Sequence, residues 1–74
     1  MTHLHNRWRA GLHGRYWYIN DFDLSARRTQ DYRNDADAKR WLYGNYFRSE
    51  HQAMVAARHI HEVMAAVHEA TDEG

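Results

Sequence analysis

Seventy-four residues without cysteine leave room for one domain and exclude disulfide scaffolds, thiolate metal sites and cysteine nucleophiles. A chain this short buries only ~60–65% of its unfolded surface and struggles to enclose a ligand pocket of ~300 Å3 or more. The formal net charge of zero is a balance of two halves: residues 1–48 carry nine Arg/Lys against five Asp, and residues 49–74 carry Arg58 against five acids, so a basic part and an acidic part are on offer without the global basic excess of nucleic-acid modules.

Residues 1–13 are polar and lack a period, and they read as a loose arm ahead of a single α+β domain over residues 14–74. Trp8 and Leu12 are the side chains able to tack the arm onto the body. The arm has no hydrophobic run of the signal-peptide kind, and no apolar stretch of the chain approaches the ~18–20 residues of a membrane span. A cytosolic protein is therefore expected.

From Gly14 the composition changes. RYWYIN (residues 15–20) is dense in aromatic and β-branched types that suit a half-buried pleated surface, with Tyr16 and Tyr18 on one side and Trp17 and Ile19 on the other. Asn20-Asp21-Phe22-Asp23 supplies turn chemistry, and a mostly polar second strand is expected from Leu24 to about Tyr32. Residues 34–45 predict a short helix, capped by Asp35 or Asp37, with Ala38, Trp41 and Leu42 on one face and Gly44 in the closing left-handed position. Asn45-Tyr46-Phe47 is then placed for a brief third strand.

The last segment carries the clearest pattern. Ser49-Glu50-His51-Gln52 is a capping box, and good helix formers run from there to about Ala70 without Gly or Pro. Ala53, Ala56, Ala57, Ile60, Val63, Met64 and Val67 fall within an arc of ~120°. Some 21 residues make a rod of ~32 Å, whereas three strands cover only ~10–15 Å. The helix must overhang its sheet. Val63, Met64 and Val67 then form a self-association surface, unless the helix folds back over the aromatic arm.

Chemistry is sparse. His3-x-His5 and His59-x-His61 suggest metal, and His59 lies three residues from Glu62. On a helix, however, His59 and His61 point ~160° apart, and His61 and His68 stand ~10.5 Å apart along the axis. No metal site or cofactor is expected. The carboxylates Asp21, Asp23, Asp31, Asp35 and Asp37 lie around turns, where Asp caps backbone, and no nucleophile elbow or phosphate loop is present. No enzyme is expected. Exposed Tyr, Trp and Arg are instead the residue types of interface hot spots, which nominates Trp17, Arg27, Arg28, Tyr32, Arg40, Trp41 and Tyr43 for partner binding. The same arginines interleaved with aromatics also suit phosphate contact and base stacking.

The pattern YWYIN, a turn, a polar strand, then AKRWLYGNYFRSEHQA resembles a small module of bacteriophage and prophage accessory proteins. Tyr16, Tyr18, Ile19, Gly44, Asn45, Phe47, Ser49 and Ala53 carry the resemblance, over about residues 14–60. The glycine usual in the hairpin turn is missing here, and the helix is richer in histidine. The resemblance transfers no catalytic residue. It implies a phage or mobile-element protein acting in the bacterial cytoplasm by binding a host protein or ribonucleoprotein complex, an anti-CRISPR inhibitor being one such type. The alternative is a nucleic-acid-binding accessory protein using the arginine-bearing strand. A structural oligomer subunit is a third reading.

Overall fold

A computed structural model describes residues 7–72, and its order is two strands followed by two helices: β1 (Arg15–Ile19), β2 (Ala26–Gln30), α1 (Asp35–Tyr43) and α2 (Glu50–Asp72). This is the α+β arrangement expected, a hairpin packed on one long C-terminal helix. The strands pair antiparallel with Tyr16 opposite Thr29, Trp17 opposite Arg28 and Tyr18 opposite Arg27. Side-chain alternation therefore puts Tyr16, Tyr18, Arg27 and Thr29 on one face, and Trp17, Ile19, Ala26 and Arg28 on the other. The tyrosine face receives α1 and residues 7–10, while α2 crosses the opposite face of both strands.

The third strand shrinks to one residue pair. Phe47 and Trp17 exchange both backbone hydrogen bonds, at 2.7 and 2.8 Å. Further pairing is unnecessary because the Asn45 side chain replaces the next rung: its Oδ1 accepts the Ile19 N–H at 2.7 Å and its Nδ2 donates to the Ile19 carbonyl at 2.9 Å. One amide thus satisfies two backbone groups that would otherwise be stranded. Asn45→Ala is expected to lower stability by about 2–3 kcal/mol, read as a shift of the urea midpoint, because it orphans both groups at once. An unchanged midpoint would show that water replaces the amide without penalty.

α1 departs from expectation at its start and in the face it buries. Its N-cap is Asn34, whose Oδ1 accepts the Asp37 N–H at 2.9 Å, rather than Asp35 or Asp37. Ala38 and Leu42 are exposed, and the helix turns Asp37, Arg40 and Trp41 inward. Gly44 closes it with φ 91° and its N–H bonded to the Trp41 carbonyl, as predicted.

Residues 7–10 belong to the body. Ala10 is buried, Trp8 packs beside Tyr46 with ring centroids 5.7 Å apart, and the Trp41 indole N–H donates to the Trp8 carbonyl at 3.1 Å. The expectation of a loose arm fails for this stretch because a core this small needs every aromatic within reach. Leu12, by contrast, is exposed and tacks nothing down. Gly14 sits so close to Ala10 that an added Cβ would lie 2.9 Å from the Ala10 Cβ, so only glycine lets the segment turn back here.

At the head of α2 the Ser49 hydroxyl accepts the Gln52 N–H, while the Gln52 side chain reaches one residue further back than a standard box, to the Arg48 N–H. Ala53 is wholly buried against the sheet, and Val55 to Ala57 are half-buried. From Arg58 to Asp72 every residue is exposed. Arg58, Ile60 and His61 still border grooves on the hairpin, and from Glu62 to Asp72 the helix runs on ~16 Å past the body, which accounts for a molecule measuring 49 × 29 × 22 Å. The predicted overhang is present, and the end of α2 is not covered by residues 7–13.

Candidate functional site

Two buried carboxylates organise the interior. Asp31 and Asp37 are almost fully sequestered, each beneath a tyrosine whose ring stacks on the other at 3.9 Å. The Tyr46 hydroxyl donates to Asp31 Oδ2 at 2.8 Å and accepts the Ala10 N–H. Arg9 Nε adds a bond to Asp31 at 3.0 Å, and the Arg33 N–H a further one at 2.9 Å. The Tyr16 hydroxyl donates to Asp37 Oδ1 and accepts from Arg40 at 2.9 Å, while Asp37 Oδ2 accepts the Tyr32 N–H at 2.8 Å. Burial works against the charged form of Asp31, but the bonds from Arg9, Tyr46 and the Arg33 N–H outweigh it and hold the carboxyl below its usual range. Burial, reinforced by donation to Asp37, pushes the Tyr16 phenol up to about 12.

Tyrosine beside carboxylate is a pairing used for proton transfer, yet here every oxygen is engaged and neither carboxylate has a face open to a substrate. The centre is a polar clasp joining residues 7–10, β1, β2 and α1.

That clasp absorbs several residues nominated for binding. Arg40 lies over the Tyr18 ring at 3.9 Å and bonds Tyr16. Trp41 is flanked by Arg7 at 4.5 Å and Arg9 at 5.5 Å, and its carbonyl accepts from Arg7. Trp17 is half-buried on the α2 side of the sheet. Arg27 and Arg28, adjacent in sequence, point to opposite faces, and Arg27 is held by Asp23 at 3.0 Å. Tyr32 is exposed, edge-on to His13 and bonded to Gln30, remote from the hairpin turn. Tyr43, at 80% exposure, remains available. His59 pairs with Glu62 at 3.6 Å, and among the described residues no group of three metal-ligating side chains assembles. His3 and His5 lie outside the described residues.

The residue missed from sequence is Phe22. It is 93% exposed at the tip of the hairpin, on a turn locked by its own side chains. Asn20 Oδ1 accepts the N–H groups of Phe22 and Asp23, and Asp23 Oδ1 accepts both the N–H and the hydroxyl of Ser25. Arg27 closes the array onto Ser25 and Asp23. Leu24 occupies the left-handed position, φ 58°, that glycine usually fills, and its side chain lines a groove of about 280 Å3 with Ile19, Tyr43, Phe47 and Ile60. No protein-family model, curated protein or solved structure matches the chain. The site therefore rests on its own geometry: a rigid turn that holds an aromatic ring in solvent beside an apolar groove. The signal legible in sequence was an aromatic residue embedded among Asn, Asp and Ser, which rigidify turns by bonding their own backbone.

Proposed function

We propose that this chain acts by stoichiometric binding to a protein, with Phe22 as the anchor. The observation that carries the reading is an ordered turn presenting a fully exposed phenylalanine. An aromatic ring left in water on an ordered turn gains about 1.5–3 kcal/mol when a partner pocket buries it. The turn is already ordered, so little conformational entropy is lost on docking.

The class of partner comes from the resemblance to phage accessory modules. On that basis the partner is a host defence complex and the activity is inhibition, of which anti-CRISPR action is the leading form. The nucleic-acid alternative has weaker support, since Arg27 and Arg28 do not share a face and Arg27 is spent on the turn.

Wild-type protein and Phe22→Ser, each immobilised and challenged with bacterial lysate, test the anchor. A protein retained by the wild type should fall about ten- to a hundredfold in recovery with the variant, the loss expected for one buried ring. Since Phe22 touches little in the free protein, circular dichroism should be unchanged. If no retained protein discriminates the two, the anchor reading is wrong. Phage plating on a CRISPR-immune host expressing the chain tests the inhibitor half separately: restored plating supports it, and undiminished immunity removes it.

A further inference from the structure

We infer that the overhanging half of α2 pairs antiparallel with the same segment of a second copy of this chain. Ala53, Ala56, Ile60, Val63, Val67 and Ala70 follow one another at alternating spacings of three and four, the seam of a helix that packs along another helix. The first members of this seam are spent on the sheet. Ile60 borders the groove at the sheet's end, and Val63 and Val67 continue the same line beyond it, all exposed, with Met64 beside them. Val63 alone has 62% of its surface in water. The flanking positions are Ala57, Ala66 and Thr71, so the strip contains no acid or basic residue except His59 at its margin. Small alanines let two backbones approach closely, and charged side chains occupy only the outer side.

The body fixes the orientation. Sheet and seam lie on one side of α2, since Ile60 shares its groove with Ile19 and Leu24. A parallel pair would force two bodies into the space between the helices and hold the overhanging halves apart. In the antiparallel pair, each body stands beyond the end of the other copy's helix. Val63 then faces Val67 of the second copy, and Ile60 faces Ala70 of the second copy, whose helix end abuts the groove at Tyr43. Charge agrees. Beyond Arg58 the described helix carries Glu62, Glu69 and Asp72 and no Lys or Arg, whereas residues 7–48 hold nine basic groups against five aspartates. Antiparallel pairing brings each acidic helix end to a body whose overall balance is basic, although the charged residue at the groove itself is Asp21, and parallel pairing stacks the acids on each other. Two helices in contact from Ile60 to Ala70, ~15 Å, with the groove added, make an interface at or below the ~1,200 Å2 lower end of specific ones, the size of a weak association. Micromolar affinity is expected.

Sedimentation equilibrium of the intact chain should show a monomer–dimer equilibrium, and Val63→Lys should shift its midpoint at least tenfold without altering helix content or melting temperature, because that side chain is open in the single copy. Orientation is read by cysteine crosslinking in this cysteine-free background. Met64 lies next to the twofold axis of the antiparallel pair, so Met64→Cys should form a disulfide dimer while Ala70→Cys does not. A crosslink at Ala70→Cys and none at Met64→Cys would mean parallel pairing and overturn the inference. A monomer up to ~500 µM, far above the micromolar range, would overturn it too. So would a monomer whose lysate partner is lost on Val63→Lys, which would give this face to a different protein. Phe22→Ser should leave the dimer intact, separating this result from the anchor reading.

Discussion

Asp31→Ala is expected to leave the protein largely unfolded at 25 °C. The substitution removes the acceptor of Arg9, Tyr46 and the Arg33 N–H in a site closed to water, and it leaves the buried Tyr46 hydroxyl with the Ala10 N–H but no acceptor for its own proton. Breaking a buried charge cluster by deleting one member costs about 3–5 kcal/mol, which matches or exceeds the few kcal/mol a domain of this size has. The arginines are themselves partly solvated, which places the loss toward the lower figure. Asp31→Asn keeps the shape and one acceptor, and should cost less. The same carboxylate sets the acid limb. Its folded pKa is depressed, so its contribution is complete above the unfolded value near 3.9 and declines as pH falls from about 5 through the folded value. Urea midpoints measured from neutral to acid pH should therefore fall steeply in the wild type and less steeply in Asp31→Asn. Equal slopes would remove Asp31 from the account.

Tyr16→Ala should be similarly damaging, at about 3–5 kcal/mol, because it deletes a fully buried ring stacked on Tyr46. Tyr16→Phe isolates the hydroxyl: Asp37 loses a donor and Arg40 an acceptor, for about 1–3 kcal/mol. Alkali tests the same group. With the phenol at about 12 in the fold and near 10 in the unfolded chain, stability is intact below pH 10 and declines as pH rises toward 12, by about 2–3 kcal/mol in total. Tyr46 shifts in the same direction, first through burial and then through its bond to Asp31. Denaturation midpoints at about pH 9 and about pH 11.5 should differ accordingly in the wild type, and the difference should shrink in Tyr16→Phe. Tyrosinate absorbance rising with a midpoint near 10 for all five tyrosines would contradict the burial argument.

The eight residues on which the sequence comparison with phage modules rested (Tyr16, Tyr18, Ile19, Gly44, Asn45, Phe47, Ser49 and Ala53) have a common physical role in this fold. Tyr16 and Tyr18 line the face of β1 turned to α1 and Ile19 the face turned to α2, Gly44 and Asn45 end α1 and cap the sheet edge, Phe47 bridges to Trp17, and Ser49 and Ala53 start α2 and seat it. Each is explained by folding alone. These positions serve the scaffold, and on the binding reading proposed above partner contacts fall outside them, at Phe22 and the overhanging face of α2.

Local order was largely determined by the sequence. Alternation in residues 15–19, the Ser49 cap, the Gly44 stop and the apolar stripe of α2 all depend on neighbours a few positions away, and each is present. Even the overhang followed from comparing a helix length with a sheet width. What only the tertiary structure decided is where polarity is buried. Asp31 and Asp37 read as turn and capping residues because the hydroxyls that make their burial tolerable lie 15 and 21 positions away. Arg40 and Trp41 read as surface for the same reason, and Phe22, chemically a core residue, is left in water by a turn whose geometry its polar neighbours impose. A buried charge or a stranded ring is settled by partners distant along the chain, and no local period encodes them.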